Sequence, residues 1–236
     1  MKLYYDLHMH SCLSPCGDGD MTPNNIAGMS ALKELDVIAL SDHNTARNTK
    51  ALRDAVLDNG FDLLVIPAIE VCTSEEVHML CLFEDFGQCE AFDEFLYSLL
   101  PPIANKPAIF GEQLLMDRRD NVTGTLDKLL LNAASLSIDR LLRELPAYGG
   151  FAIPAHVDRP SYSIVASLGY IPPDYGFPCI EVKHPPYACD FSGRVITNSD
   201  AHYLQDIAER EHALEVRERS IASVLDALKS AVHSTE

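Results

Sequence analysis

The chain has 236 residues, a hydrophobic fraction of 47% and a net charge of -17 at pH 7. This length suits one α/β domain of barrel size or two small domains, and the composition is ample for a buried core. The 18 basic residues are spread along the chain, so we expect no long nucleic acid as a partner.

No apolar run reaches the length of a membrane span, and the first residues lack the pattern of a signal peptide. The seven cysteines form no pair of CxxC motifs, which predicts free thiols in a reducing compartment. The sequence therefore predicts a cytoplasmic protein without a membrane partner. Cys12 and Cys16, in the first loop, are expected to pack near any site there or to touch it.

Strand-like and helical runs alternate over residues 1–83. Strands are predicted at residues 3–5, 37–40, 63–70 and 77–83. One helix opens at Thr22-Pro23, and another covers Thr49–Asn59 and stops at Gly60, a common C-terminal cap. Repeated strand–helix units of this kind predict a parallel sheet or barrel.

The second half of the chain begins with a different pattern. Residues 84–147 carry helical patterns around 92–100 and 126–145 and read as a mainly helical insertion beside the barrel. Strands are then predicted at 151–153, 179–182, 195–197 and 213–216, before a helix over 221–232 capped by Ser220. The predicted domains are thus a barrel from residues 1–83 and 148–236, and an insertion from residues 84–147.

Histidines and carboxylates recur where the predicted strands end. His8 and His10 are two residues apart, so both imidazoles can face one metal ion from one strand. Catalytic groups of barrels gather at the carboxyl ends of parallel strands. The same residue types stand at or near the other strand ends, with one more carboxylate in the first loop: His43, Glu70, His78, His156, Asp200, His202 and, in the loop, Asp18. Nitrogen and oxygen ligands without a thiolate favour Mn, Fe or Zn.

These segments resemble a known family, the PHP (polymerase and histidinol phosphatase) domain. The matching motifs are residues 6–11 (DLHMHS), the Asp18-Gly19 to Thr22-Pro23 loop, residues 39–45 (ALSDHNT), Ile69-Glu70, His78, Pro154-Ala155-His156 and residues 198–202 (NSDAH). The resemblance covers residues 1–83 and about 150–203, and it departs from the family at Val157-Asp158-Arg159. It implies an α/β fold, a distorted seven-stranded β/α barrel.

The resemblance also implies three divalent metal ions and a set of ligands. His8, His10, Glu70 and Asp200 would hold the first ion. Glu70 would bridge to a second ion, completed by His78 and His156. Asp18, His43 and His202 would hold the third. The catalytic residues would be Glu70, Asp200, His43 and Arg159, acting with metal-activated hydroxide on small phosphate esters such as nucleotides, short oligonucleotides, or sugar or histidinol phosphates.

Two other functions remain open at this point. One is a metal-binding regulatory domain without turnover, and the other is an amidohydrolase-type enzyme that cleaves an amide or lactone. Several further residues have a functional and an ordinary structural interpretation. Asp42 would orient a ligand histidine or cap the next helix. Candidates for phosphate, leaving-group or nucleoside contacts are Arg159, His184, Arg194, Tyr162, Tyr170, Tyr175 and Tyr187.

Overall fold

The computed structural model describes residues 1–230, which form an α/β fold around one curled sheet. Within these residues the strands are β1 (Lys2–Asp6), β2 (Val37–Leu40), β3 (Leu64–Cys72), β4 (His78–Phe83), β5 (Leu114–Met116), β6 (Val122–Thr125), β7 (Gly150–Pro154), β8 (Cys179–Glu181), β9 (Arg194–Ile196) and β10 (Ala213–Glu215).

The helices lie between these strands and after the last one. They are α1 (Pro23–Leu32), α2 (Thr49–Asn59), α3 (Phe86–Leu99), α4 (Pro107–Phe110), α5 (Ile138–Glu144), α6 (Ile164–Leu168) and α7 (Ile221–Lys229). The predicted C-terminal helix extended to Val232, which lies outside the described residues. Among the helices of residues 1–230, none combines the length and apolar character that a membrane crossing requires.

The main sheet has six strands in the order β10-β1-β2-β3-β4-β7. β1, β2 and β3 are mutually parallel, whereas β4 is antiparallel to both of its neighbours. β7 therefore runs in the direction of β3. A separate parallel pair, β8 and β9, follows β7, and an isolated bridge between Met9 and Ala201 joins the segment after β9 to the segment after β1. The carboxyl ends of β1, β2, β3, β7, β8 and β9 consequently meet at one rim.

The direction of β4 corrects the expectation of an unbroken parallel series. Only residues 73–77 separate β3 from β4. A parallel crossover needs a dozen residues or more, whereas a hairpin needs only a short turn. Because β4 runs the opposite way, its first residue, His78, lies at the rim where its neighbours end.

Alternating side chains of β4 pack on both faces of the sheet. Met79 and Phe83 join a core cluster with α3 and α5, while Leu80 and Leu82 pack inside the curl with Leu3. This period of two is the usual consequence of strand geometry. Both faces of the strand are buried, so β4 forms the central wall of the molecule.

Residues 84–147 are less helical than the sequence pattern predicted. β5 and β6 form a hairpin, and the predicted helix over residues 126–145 forms only as α5. The apolar spacing of Leu126 and Leu130 imitates a helix, but both side chains are buried along an irregular segment. Its backbone is bound by Gln113, which donates to the Leu126 and Lys128 carbonyls and accepts from the Leu130 amide. That distant side chain replaces helical hydrogen bonds.

Candidate metal centre

The rim gathers the predicted ligands from six different strands. His8 and His10 follow β1, and His43 follows β2 and forms an isolated bridge with Glu70 of β3. His78 opens β4, His156 follows β7, and Asp200 and His202 follow β9. All lie in or directly beside strands with buried side chains, so the sheet determines their positions.

Glu70 lies at the middle of this group and is fully buried. Its Oε2 is 2.7 Å from His43 Nδ1 and 3.5 Å from His10 Nε2. Its Oε1 has three imidazole nitrogens around it, at 2.9, 3.0 and 3.2 Å: His78 Nδ1, His156 Nε2 and His8 Nε2. One carboxylate therefore faces five histidines, which is more than its own hydrogen bonding requires.

Asp200 forms a second focus beside Glu70. Its Oδ1 lies 3.3 Å from His10 Nε2 and 3.7 Å from His8 Nε2. Its Oδ2 accepts from Arg159 Nη1 at 2.9 Å and lies 3.2 Å from Lys183 Nζ. One oxygen of the carboxylate thus faces the histidine cluster, and the other contacts two partly exposed cations.

The arrangement fits divalent metal ions. Several buried atoms at short distances still have no hydrogen-bond partner of acceptable geometry: His8 Nε2, His10 Nε2, His78 Nδ1 and Glu70 Oε2. Leaving so many buried polar atoms unpaired is costly unless a further group binds them. Three sets of side chains each bring their ligand atoms within 4.8 Å of one another: His8 with His10 and Asp200, His43 with Glu70 and His78, and His10 with His43 and His202.

The structure does not bring the Asp18 carboxylate into any of these three sets. Asp18 Oδ1 accepts from the Asp20 amide at 2.9 Å, while the Asp18 amide donates to the His202 carbonyl. Cys16, in the same loop, is coupled electrostatically to His43 and His202. Burial alone would raise the pKa of Cys16, but these histidines lower it to about 6. Within residues 1–230, neither Asp18 nor Cys16 joins one of these ligand groups.

Electrostatic coupling in the cluster is strong. Burial alone would raise the pKa of Glu70, but His78, His8 and His43 hold it well below its ordinary value. Burial would likewise lower the pKa values of His8 and His43, but Glu181 and Glu70 raise that of His8, and Glu70 and Cys16 raise that of His43, well above the ordinary value. The pKa of His10 is lowered by burial and by its histidine neighbours. The raised pKa values of His8 and His43 favour protonated imidazoles, and a bound metal ion would displace those protons.

Glu181, at the end of β8, is a site residue that the motifs did not reveal. Its buried carboxylate accepts from His8 Nδ1 at 2.9 Å, from Asn198 Nδ2 at 2.7 Å and from the His156 amide at 3.0 Å. A hydrogen bond at Nδ1 leaves Nε2 of His8 free to bind a metal ion. The signal in the sequence was a single acidic residue within the apolar run of residues 179–182.

Asp42 supports the first loop rather than the next helix. It accepts from the Ser11 amide and hydroxyl and from the Ser14 hydroxyl, each at 2.7 Å. Ser14 Oγ lies 3.1 Å from His10 Nδ1. Asp42 thereby acts on His10 through Ser14, while Asn48 occupies the N-cap position of α2.

The remaining predicted contacts divide between the rim and other places. Arg159 lies at the rim on Asp200, and Tyr162 stacks on His78 with ring centroids 4.8 Å apart. Lys183, which the sequence did not single out, joins Arg159. The other candidates lie away from the cluster: Arg194 is at the opposite end of β9, His184 is exposed beside Asp158, Tyr170 and Tyr187 line a separate cavity, and Tyr175 packs on Phe177.

Backbone conformation at the rim is unusual. His156 and Asp200 have φ angles of 30° and 48°, and Tyr162 has a φ of 55°. Side chains other than glycine rarely adopt this left-handed region. Such strain persists where the surrounding structure enforces it, commonly at functional sites.

Comparison with known proteins gives relatives among nucleases. No family model matches the chain. The 5'-3' exoribonuclease Rnm of Salmonella typhimurium is 26% identical over 176 residues, covering 72% of this chain and 57% of the exoribonuclease. The lesion-specific endonuclease PfuEndoQ of Pyrococcus furiosus superposes with a TM-score of 0.68 and 20% identity, over 97% of this chain and 56% of that chain.

Other solved structures agree in fold. Endonuclease Q in complex with a 27-mer duplex carrying an abasic lesion gives a TM-score of 0.66 at 20% identity, with 97% of this chain and 57% of that chain covered. A protein described as a metal-dependent phosphoesterase from Bifidobacterium adolescentis gives 0.54 at 18% identity, with 98% and 97% covered. The chain spans little more than half the length of Rnm and PfuEndoQ. These comparisons support a PHP-like fold for the chain, as the motifs at its strand ends predicted.

Proposed function

We propose that the chain is a metal-dependent phosphoesterase with three divalent metal ions at the rim. The observation that carries this proposal is the convergence of five histidines on the buried carboxylate of Glu70, with ligand atoms left unpaired. A regulatory domain without turnover would not need Arg159 and Lys183 beside the same cluster.

The proposed ligand sets are those that the resemblance implies, and the three groups of side chains that the structure brings together overlap with them. His8, His10, Glu70 and Asp200 would hold one ion, and Glu70, His78 and His156 a second. His43 and His202 would hold the third, together with Asp18 if its loop rearranges, or with Cys16. The donor atoms suit Mn, Fe or Zn. Bound ions of this kind lower the pKa of water and offset charge on a phosphate.

The chain's own residues would bind and orient the substrate. Arg159 and Lys183 now share Asp200 Oδ2, and their side chains are 38% and 30% exposed. Both can donate hydrogen bonds to the non-bridging oxygens of a phosphate, where charge builds during hydrolysis. Glu181 and Asp42 hold His8 and His10 in place. These two cations sit between the buried cluster and solvent, where an incoming ester would first meet the site.

The proposed substrates are small phosphate esters, including nucleotides and short oligonucleotides. Rnm and Endonuclease Q are named for activity on nucleic acids, which favours a phosphodiester among these candidates. It also leans against the expectation that no long nucleic acid is a partner. A cytoplasmic location remains part of the proposal.

The test uses the variants Asp200→Ala and His43→Ala. Both should lose bound metal, measured by inductively coupled plasma mass spectrometry, because each removes a ligand. The rate of Mn-dependent hydrolysis of bis(p-nitrophenyl) phosphate should fall roughly a hundredfold or more. His212→Ala, which lies outside the ligand groups of residues 1–230, is the matched control. Full turnover in either ligand variant would contradict the proposal. Cleavage of amide or lactone substrates instead of esters would favour the amidohydrolase alternative.

A further inference from the structure

A surface groove of about 610 Å³ lies between the start of α2 and the β5–β6 hairpin. We call it the hairpin groove. The charged side chains that line it are Arg47, Lys50, Arg118, Arg119, Asp54 and Asp117. Four cations around one groove stand out in a chain with 18 basic residues and a net charge of -17. The side chains that line the groove thus include more cations than carboxylates.

The two acidic side chains of the groove already have partners. Asp54 Oδ1 accepts from Arg53 Nε and Nη2 at 2.8 and 2.6 Å. Asp117 accepts from the amides of Arg119 and Asn121 and from the Asn121 side chain, which closes the hairpin turn. These hydrogen bonds lower the pKa of Asp117. Asp54 is thus paired with a cation outside the groove lining, while Asp117 keeps its charge and is held in the hairpin turn by neutral donors.

Three of the four cations are held by weak pairs or by none, whereas Arg47 Nε donates to the buried carboxylate of Asp93 at 3.0 Å. Lys50 lies 3.4 Å from Glu90, and Arg118 lies 3.2 Å from Asp58, with all four side chains at least 43% exposed. Arg119 has no carboxylate within 4 Å among residues 1–230. Exposed pairs of this kind contribute little to stability, so exchanging a carboxylate for a phosphate costs little.

The groove is connected to the metal centre through the first loop. Arg47 lies four residues after His43, on the segment that joins β2 to α2. Asn48 donates to Ser11 Oγ and to the Leu114 carbonyl, and it accepts from the Met116 amide. Ser11 in turn binds Asp42, whose contacts lead to His10. The hairpin is therefore fastened to the same polar network that orients a ligand histidine.

We propose that the hairpin groove binds the sugar–phosphate backbone of a single nucleic-acid strand whose scissile phosphate lies at the metal centre. This inference rests on the proposed phosphoesterase function and specifies its substrate class. A row of arginines and a lysine neutralises successive phosphates without reading the bases. A lone phosphate monoester would need only the rim cations Arg159 and Lys183. A nucleic-acid strand extends beyond the metal centre and would need further cations to bind its other phosphates.

The experiment compares two double variants that lose the same charge. Arg118→Gln with Arg119→Gln removes cations of the groove, and Arg143→Gln with Arg217→Gln removes two exposed cations elsewhere. Binding of a short fluorescein-labelled RNA, and of DNA of the same sequence, is followed by anisotropy with EDTA present to stop turnover. Each protein is titrated between about 50 and 200 mM salt, the range over which phosphate contacts dominate the salt dependence.

The groove variant should bind the labelled strand about tenfold more weakly, and its salt slope should fall by about 1.4, since each phosphate contact to a single strand contributes ~0.7. Its hydrolysis of bis(p-nitrophenyl) phosphate with Mn should stay within about twofold of the wild type. The control should match the wild type in all three measurements. Comparing RNA with DNA shows which strand the groove prefers.

Two failures would be distinguishable. If the wild type hydrolyses the small diester but does not bind the strand, or if the groove variant binds it with unchanged affinity and salt slope, the groove inference is wrong and the phosphoesterase proposal stands. If the wild type does not hydrolyse the small diester, the proposed function itself fails, whatever the strand binding shows.

Discussion

His8 is held from two sides by different carboxylates. Glu181 accepts from Nδ1, while Nε2 faces Glu70 and Asp200. The motif at the end of β1 predicted His8 as a ligand because alternate residues of a strand share a face. It could not predict Glu181, which lies 173 residues away and meets His8 only when β8 packs beside β7. The identity of His8 as a ligand can thus be predicted from the local motif, whereas the orientation of its ring depends on tertiary contacts.

We expect Glu181→Gln to weaken Mn binding roughly 10- to 100-fold, because residues that orient ligand histidines have effects of this size. The amide would also favour the other tautomer of His8. Metal affinity is measured by titration calorimetry, and the fold is checked by circular dichroism. Glu215→Gln, on the exposed side of β10, is the control. Unchanged affinity in Glu181→Gln would show that Glu181 only fills space beside His8.

Among the secondary-structure elements, β4 differs from its neighbours in direction, and this direction places His78 at the site. It is antiparallel, so His78 comes from its amino end and still reaches the rim. The sequence placed most strands within one or two residues, because buried apolar runs and caps such as Ser220 are local signals. It did not give the direction of β4. It also misread residues 126–137, where Gln113 supplies hydrogen bonds from a distant part of the chain.

Leu80→Ala should lower the free energy of unfolding by about 2–5 kcal/mol, because Leu80 is fully buried between Glu70 of β3 and Ile153 of β7. Urea unfolding followed by circular dichroism measures this change. Leu57→Ala removes the same atoms from a side chain that is 69% exposed, and it should change stability by no more than about 0.5 kcal/mol. Equal effects in the two variants would mean that β4 is not a central wall.

The whole molecule combines a net charge of -17 with a buried histidine cluster in which the pKa values of only some imidazoles are raised. The pKa values of His8 and His43 lie well above the ordinary value because neighbouring carboxylates outweigh burial. The direction of these shifts favours the protonated imidazoles in the metal-free protein. A metal ion binds only the neutral nitrogen, so binding must displace these protons.

Mn binding at pH 7 should accordingly release protons. Calorimetric titrations in two buffers with different ionisation enthalpies give the number released, and the observed heat should differ between the buffers. His43→Ala removes one of the imidazoles with a raised pKa and should release fewer protons. A heat that is the same in both buffers would contradict the assigned direction of these pKa values.

The left-handed backbone of His156 and Asp200 has an evolutionary consequence. Glycine would adopt these angles freely, so a chain selected only for thermal robustness would gain from glycine at both positions. It would also lose two ligands of the proposed metal centre. Substitution to glycine at these two positions would therefore raise stability and abolish metal binding together. Only selection for catalytic activity would remove such variants from a population.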